Sequence, residues 1–359
     1  MDNERKLAHV EKIVAINPID GADKIEVCTV LGWNCIVTKE DNFKVGDLVV
    51  YIECDSVVPK TEMFAFLADR KYRIRIIKLR GVYSQGLVMP LSTLPKGKYK
   101  EGDDVTKELK ITKYDPQAAA EVIQNKGPVW NFLMHFKFFR WLLLPKKVKR
   151  DLFPSFLVKT DEERIQNIPW VLEKFKDTEF YASIKADGHS NTYWIKDGEF
   201  GVASRNIWLK KESDNDYWNL AKKLYIKSKL ESTHKNICIQ GEQVGPGIQG
   251  NKYKLTEHKF LIFNVYDIDA KRFYNMGELI GFCNVYGFDH VHILKEVFKF
   301  NGMTINDVIE KAKGEDPMFP GCMREGLVFR PMNGEITTAG IGRLSFKAIN
   351  PEFLLKHGE

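Results

Sequence analysis

A chain of 359 residues has room for two ordinary domains, and 44% hydrophobic with 28% charged residues excludes a disordered or fibrous protein. The net charge of +6 leans toward polyanionic partners but is spread over many lysines, so local patches outweigh the sum. Six cysteines without Cys-x-x-Cys or zinc-finger spacing imply reduced thiols in a cytoplasmic protein.

The first 110 residues read as β structure. "HVEKIVAI", "KIEVCTVL", "WNCIVT", "DLVVYIECD", "YRIRIIKL" and "GLVMPL" are short β-rich runs divided by turns such as "IDGAD" and "FKVGD". Closely spaced strands without long helices predict a small barrel of the OB type over residues 1–112. In "KYRIRIIKLRG", strand alternation puts Lys71, Arg73 and Arg75 on one face. That row could follow an RNA backbone, with Arg73, Arg75 and Lys78 the expected RNA contacts, and the same row also reads as an edge strand protected by charge.

Residues 113–150 have a different texture and are expected to be a linker with a helical segment. "PQAAAEVIQNKGP" leads into "WNFLMHFKFFRWLLL" and then "PKKVKR", where proline and lysine crowd together. The aromatic segment, 130–144, is too short and too charged to cross a bilayer, since it contains His135, Lys137 and Arg140. It is expected to pack on its own protein, and the charged start "MDNERKLAHVEK" does not resemble a signal peptide.

From residue 151 to 359 the pattern becomes mixed. "TDEERIQNIPWVL" predicts a helix start, with Thr160 as N-cap and Glu163 completing a capping box. Strands are predicted at 180–186, 191–195, 200–204, 237–243, 260–267, 326–330 and 343–349. Helices are predicted at 214–230, 304–313 and after Asn275.

Within this region "IKADGHS" sets Lys185 beside Asp187 and Gly188. Alone, the Asp-Gly pair signals a hairpin turn. An ordered series of residues downstream adds weight. Arg205 stands in "VASRN", Glu242 in "IQGEQVG", and "FLIFNVYDI" is an aromatic strand. Glu325 precedes the apolar run in "REGLVFR", and Lys347 stands in "LSFKAIN".

This ordered set resembles the covalent nucleotidyltransferase superfamily of DNA ligases, RNA ligases and capping enzymes, from about Thr160 to Lys356. "KADG" matches its first motif, "FNVYDI" the third, "EGLVF" the fourth and "SFK" the fifth. With the N-terminal barrel, the whole chain resembles the ATP-dependent RNA ligases that carry an OB domain ahead of the catalytic domain. The implied fold is α+β: an OB-type barrel, then a nucleotidyltransferase (ATP-grasp-like ligase) domain built on antiparallel sheets.

The resemblance implies that Lys185 attacks ATP to form lysyl-AMP, that AMP passes to an RNA 5′-phosphate, and that a 3′-hydroxyl then displaces it. It implies Lys347 at the α-phosphate and Asp187, Gly188, Arg205, Glu242, Phe263 and Glu325 around the nucleotide, with Phe263 preferred to Tyr266 for adenine. Asp187, Glu242 and Glu325 would hold Mg2+ or Mn2+ through water. A lysine must lose its proton to attack, and cationic neighbours such as Lys347 and Arg205 are expected to favour that loss. A monomer without membrane attachment is expected.

One departure stands out: Ser345 occupies the place of the first lysine in the usual Lys-x-Lys of the fifth motif, and Lys356 is one substitute for it. Two rivals remain open at this point. One is a GTP-using capping-type enzyme, against which the missing C-terminal OB domain counts. The other is a non-catalytic RNA-binding protein with a degenerate ligase domain.

Overall fold

The computed structural model describes residues 6–114, 151–210, 212, 214–339 and 341–358; the connector and aromatic segment expected between 115 and 150 lie outside them. The chain divides into two compact units, residues 1–28, 35–75 and 84–150, and residues 29–34, 76–83 and 151–359.

Near the N-terminus a five-stranded sheet orders Trp33–Thr38, Ile25–Val30, Ala8–Pro18, Leu48–Ile52 and Leu87–Pro90. The pair Ala8–Pro18 and Leu48–Ile52 is antiparallel, with Ala8 opposite Ile52 and Lys12 opposite Leu48. Alternation turns Ala8, Val10, Val50 and Ile52 inward, where they bury against Phe64 and Leu67 of the 3-10 segment Glu62–Arg70.

The strand expected over 72–79 is confined to Ile77–Leu79. The 3-10 segment ends at Lys71 in the left-handed conformation, and Tyr72 also has a positive φ, 60°, which breaks the pleat before Arg73. Lys71, Arg73 and Arg75 therefore do not form one exposed row. Arg73 is 8% exposed; its guanidinium pairs with Asp55 at 2.6 Å and stacks 3.7 Å above the Tyr114 ring. Arg75 is half-buried and Lys78 is exposed.

Two large sheets form the body of the C-terminal unit. One is antiparallel, with its central strands in the order Glu199–Ser204, His189–Lys196, Ile237–Val244 and Lys259–Asp267. The helices Asp216–Lys223, Ile226–Glu231 and Met276–Tyr286 bury Trp218, Ile226, Leu230 and Phe282 against it. The other sheet orders Glu163–Arg164, Phe346–Ile349, Gly326–Pro331 and Phe180–Lys185, and its first pair is parallel. Phe180, Phe300, Phe329 and Phe346 fill its core with Val308 of the helix Ile305–Ala312. Such side chains fix the sheet, since Phe→Ala at a buried site costs about 3–5 kcal/mol.

Two helix expectations change. The helix expected over 214–230 is broken at Tyr225, whose φ of 54° starts a second helix. Thr160 caps no helix. Glu163 and Arg164 are extended against Phe346 and Lys347, and the Glu163 carboxylate accepts from the Arg164 N–H at 2.9 Å and the Asn167 amide at 2.8 Å. Pro169 disfavours helical backbone at Ile168, so the α-helix waits until Trp170–Lys174.

All six cysteines are free thiols, and among the described residues no helix is long and apolar enough to cross a membrane.

Candidate active site

Lys185 ends a strand of the four-stranded sheet, and His189 opens a strand of the antiparallel sheet. The turn Ala186–Gly188 thus steps from one sheet to the other and does not close the hairpin that Asp-Gly signals. The step is tight: a Cβ on Gly188 would lie 2.2 Å from the Gln243 carbonyl oxygen. Two side chains hold the turn. The Asp187 N–H donates to the Tyr253 hydroxyl at 2.8 Å, and the Gly188 N–H donates to Glu242 at 3.1 Å.

Where the two sheets diverge there is a cavity of about 480 Å³. Lys185, Asp187, Gly188, Arg205, Glu242, Phe263 and Lys347 all line it. Glu325 does not line the wall but reaches Lys185, its Oε2 lying 2.6 Å from Lys185 Nζ. Phe263 arrives by a specific device. Gln240 pairs with Asn264 and Gly241 with Ile262, so Phe263 is the extra residue of a β-bulge, which re-aims a side chain. Tyr266 instead packs with Phe273 and Trp194 in a separate core.

Charge is unevenly distributed around the cavity. Burial alone would push the Lys185 ammonium down, but Glu325, Glu242 and Asp187 outweigh it and hold its pKa above the ordinary lysine value. This is opposite to the expected effect of cationic neighbours, because carboxylates stand closest; Arg205 lies at the rim, ion-paired with Asp161. Glu242 is pushed up to about 8, by burial first and then by Glu325 and Asp187, against the pull of Lys185. Asp187 is paired with Lys252 at 2.6 Å.

The RNA ligase family model matches residues 178–349, and an OB-fold domain model matches residues 7–91. No curated protein matches the chain. Among solved structures, the RNA ligase of Naegleria gruberi with PPi is 32% identical over 99% of both chains, with a TM-score of 0.82. The chain belongs to the RNA ligase family. A glutamate-to-alanine variant of the same Naegleria enzyme with ATP and Mn has a TM-score of 0.81 at 32% identity, covering 99% of this chain and 100% of that one. A lysine-to-methionine variant with AMP and Mn also has a TM-score of 0.81 at 32% identity, over 99% of both. The architecture is an OB-fold followed by a ligase domain of mixed α and β structure.

Several residues of this RNA ligase site carry no motif signal. Thr160, Asp161 and Glu162 line the cavity, so the lead-in "KTDEERIQN" is wall and not helix cap. Glu162 is paired with Arg330 at 2.8 Å. Burial pushes the Glu162 carboxyl up, and the guanidinium groups of Arg330 and Arg343 overcome it, leaving the pKa below the usual range. His189 also lines the cavity. Arg330 had a legible signal, a charge at an inward position of the apolar run "GLVFR". Lys252 and Tyr253 had none, because only the fold returns their loop to Asp187. Lys356 lies on the helix Pro351–His357 and does not line the cavity.

Proposed function

We propose that this RNA ligase uses ATP and a divalent cation to join a 5′-phosphate to a 3′-hydroxyl, through the three steps that the resemblance implies. The observation that carries the reading is Lys185 at the edge of a nucleotide-sized cavity, held by Glu325 and flanked by Asp187 and Glu242. In the first step the Lys185 ammonium gives up a proton to water, the free amine forms a bond to the α-phosphorus as the bond to pyrophosphate breaks, and the leaving oxygen keeps the electron pair. Phe263 would stack on the base, and Lys347 would meet the α-phosphate charge. Arg205 is freed from Asp161 at little cost because that pair is half-exposed, and its fork suits a phosphate.

The carboxylates fit Mg2+ or Mn2+ bound largely through water. They are hard oxygen donors with too little positive charge among them, as the raised Glu242 pKa attests. Among the described residues no three such side chains are close enough to ligate an ion directly. Such an ion, when bound, neutralises Asp187, Glu242 and Glu325 and so removes the stabilisation of the Lys185 ammonium.

Residues 1–112 would hold RNA, 113–150 would connect, and 151–359 would carry the chemistry, with Arg75 and Lys78 as RNA contacts. A monomer in the cytoplasm completes the proposal. Sealing of a nicked RNA duplex tests it: a 5′-phosphate with ATP and Mg2+ should be joined, whereas GTP or a 5′-hydroxyl should give no product. Sealing with GTP alone would replace the proposal.

A further inference from the structure

The loop that joins the strands Ile237–Val244 and Lys259–Asp267 reaches back to the turn after Lys185. Its backbone is strained. Gln249, Asn251 and Lys254 have φ of 44°, 50° and 54°, a left-handed conformation that L side chains rarely adopt. Such strain persists only where the surroundings over-determine it, and it gathers at functional sites. Here the determinants are visible. The Asn251 side chain accepts from the Leu255 N–H at 3.0 Å and donates to the Leu255 carbonyl at 2.9 Å. The Tyr253 ring packs on Phe319 with centroids 4.4 Å apart, and the Lys252 carbonyl accepts from the Cys322 thiol at 3.5 Å. The Lys252 ammonium lies 4.7 Å above the Phe353 ring.

So anchored, the loop brings two consecutive residues to one target. The Tyr253 hydroxyl accepts from the Asp187 backbone N–H at 2.8 Å, and the Lys252 ammonium pairs with the Asp187 carboxylate at 2.6 Å. The two side chains of that pair are only 13% and 10% exposed, so it is costly to break. Two ion pairs therefore stand side by side. Lys185 is held by Glu325, and Asp187, two residues further on, is held by Lys252. The Asp187 charge nevertheless acts on Lys185.

Resting on the ligase reading, we infer that Lys252 is a positioning residue of the first step: it holds the Asp187 carboxylate against the loop and so keeps it from closing on the Lys185 amine. Without that ammonium, Asp187 turns to the amine two residues before it, and Lys185 is gripped by two carboxylates instead of one. Each of them must release the amine before the nitrogen can reach the α-phosphorus, and small displacements of a nucleophile are costly. Lys252 acts through Asp187 and touches no reacting atom. Its partner Tyr253 fixes the backbone of the same turn, so side chain and main chain of Asp187 are set by one loop.

A double-mutant cycle in the full chain tests this. Adenylation from α-labelled ATP is measured in single turnovers for the natural chain, Lys252→Met, Asp187→Asn and the two combined. At saturating ATP, Lys252→Met should slow adenylation by about 30-fold while the KM for ATP changes less than about threefold, because an amine is misplaced and no ATP contact is lost. Sealing of pre-adenylated RNA, in which Lys185 attacks nothing, should change less than about threefold. In the Asp187→Asn background, Lys252→Met should cost less than about threefold, because no carboxylate remains to be held. That combination also leaves no unpaired buried charge, so it stays folded even where Lys252→Met alone does not. Lys252→Arg keeps the charge and should adenylate within about fivefold of the natural rate. Equal losses with and without the Asp187 carboxylate, a loss carried by KM alone, or no loss at all would overturn the inference. A natural chain that takes no AMP from ATP would instead overturn the ligase reading itself.

Discussion

Lys185 Nζ lies 2.6 Å from Glu325 Oε2, so the amine proposed as the nucleophile is held as an ammonium beside a carboxylate. Burial opposes that state, and Glu325, Glu242 and Asp187 impose it. Replacing Glu325 with Gln removes the carboxylate in contact, and the free amine should then appear at lower pH. The pH of half-modification of Lys185 by an amine-acylating reagent, in metal-free protein, should fall by about one unit or more. An unchanged value would mean that Glu325 does not control the proton.

Phe263 and Tyr266 belong to one strand but have different roles. Phe263→Ala should raise the KM for ATP in adenylation by about tenfold, consistent with loss of roughly 1–2 kcal/mol of stacking, and should barely move the Tm. Tyr266→Ala should do the reverse, because that ring packs on Phe273. Equal effects on KM would undo the assignment of the bulge.

At Gly188 no side chain can be accommodated, with the Gln243 carbonyl oxygen 2.2 Å from where a Cβ would stand. Gly188→Ala must push the turn that follows Lys185 away from the strand that carries Glu242. Adenylation is expected to fall by about 100-fold or more, since small misplacements of a nucleophile are that costly. Thermal melting in parallel should show a folded protein, and near-natural adenylation would contradict the argument.

His9 makes a separate demand on the N-terminal sheet. Burial lowers its pKa, but hydrogen bonds and charge from Glu11 and Glu53 outweigh this and raise it to about 9. A raised folded-state pKa gives stability that is fully present below the unfolded value of about 6.5 and is lost as pH rises toward about 9. The loss should be on the order of 2–3 kcal/mol, read as a lower urea midpoint for the N-terminal unit at about pH 9.5 than at about pH 6. His9→Phe should flatten that dependence.

Arg73, expected on an RNA-facing row, is instead a structural residue. Arg73→Ala should cost about 1–3 kcal/mol of stability through the lost Asp55 pair and Tyr114 stacking. Lys78→Ala should leave the melting curve unchanged, because that side chain is exposed. Similar melting of both variants would refute the distinction.

Strands with a period of two and the ordered motifs were legible because alternation and local turn chemistry are written in consecutive residues. The strands at 180–185, 237–244 and 259–267 follow their patterns closely. The lead-in at 160–164 did not, because its Thr-x-x-Glu pattern mimics a cap while a parallel pairing with Phe346 and Lys347 decides its conformation. Tertiary pairing overrode local propensity there. Arg73 departs from its pattern for a related reason, since two positive-φ residues reset the alternation just before it. Lys252 could not have been found, because its partner Asp187 is distant in sequence and the loop between shows no pattern.

Incubation of the protein with Mg2+ and ATP labelled at the α-phosphate, beside Lys185→Ala, tests the central claim most directly. Label that survives denaturation in the natural chain, is absent from the variant, and maps by mass spectrometry to Lys185 is the expected result. Label kept by Lys185→Ala, or none in the natural chain, would contradict a covalent role for Lys185.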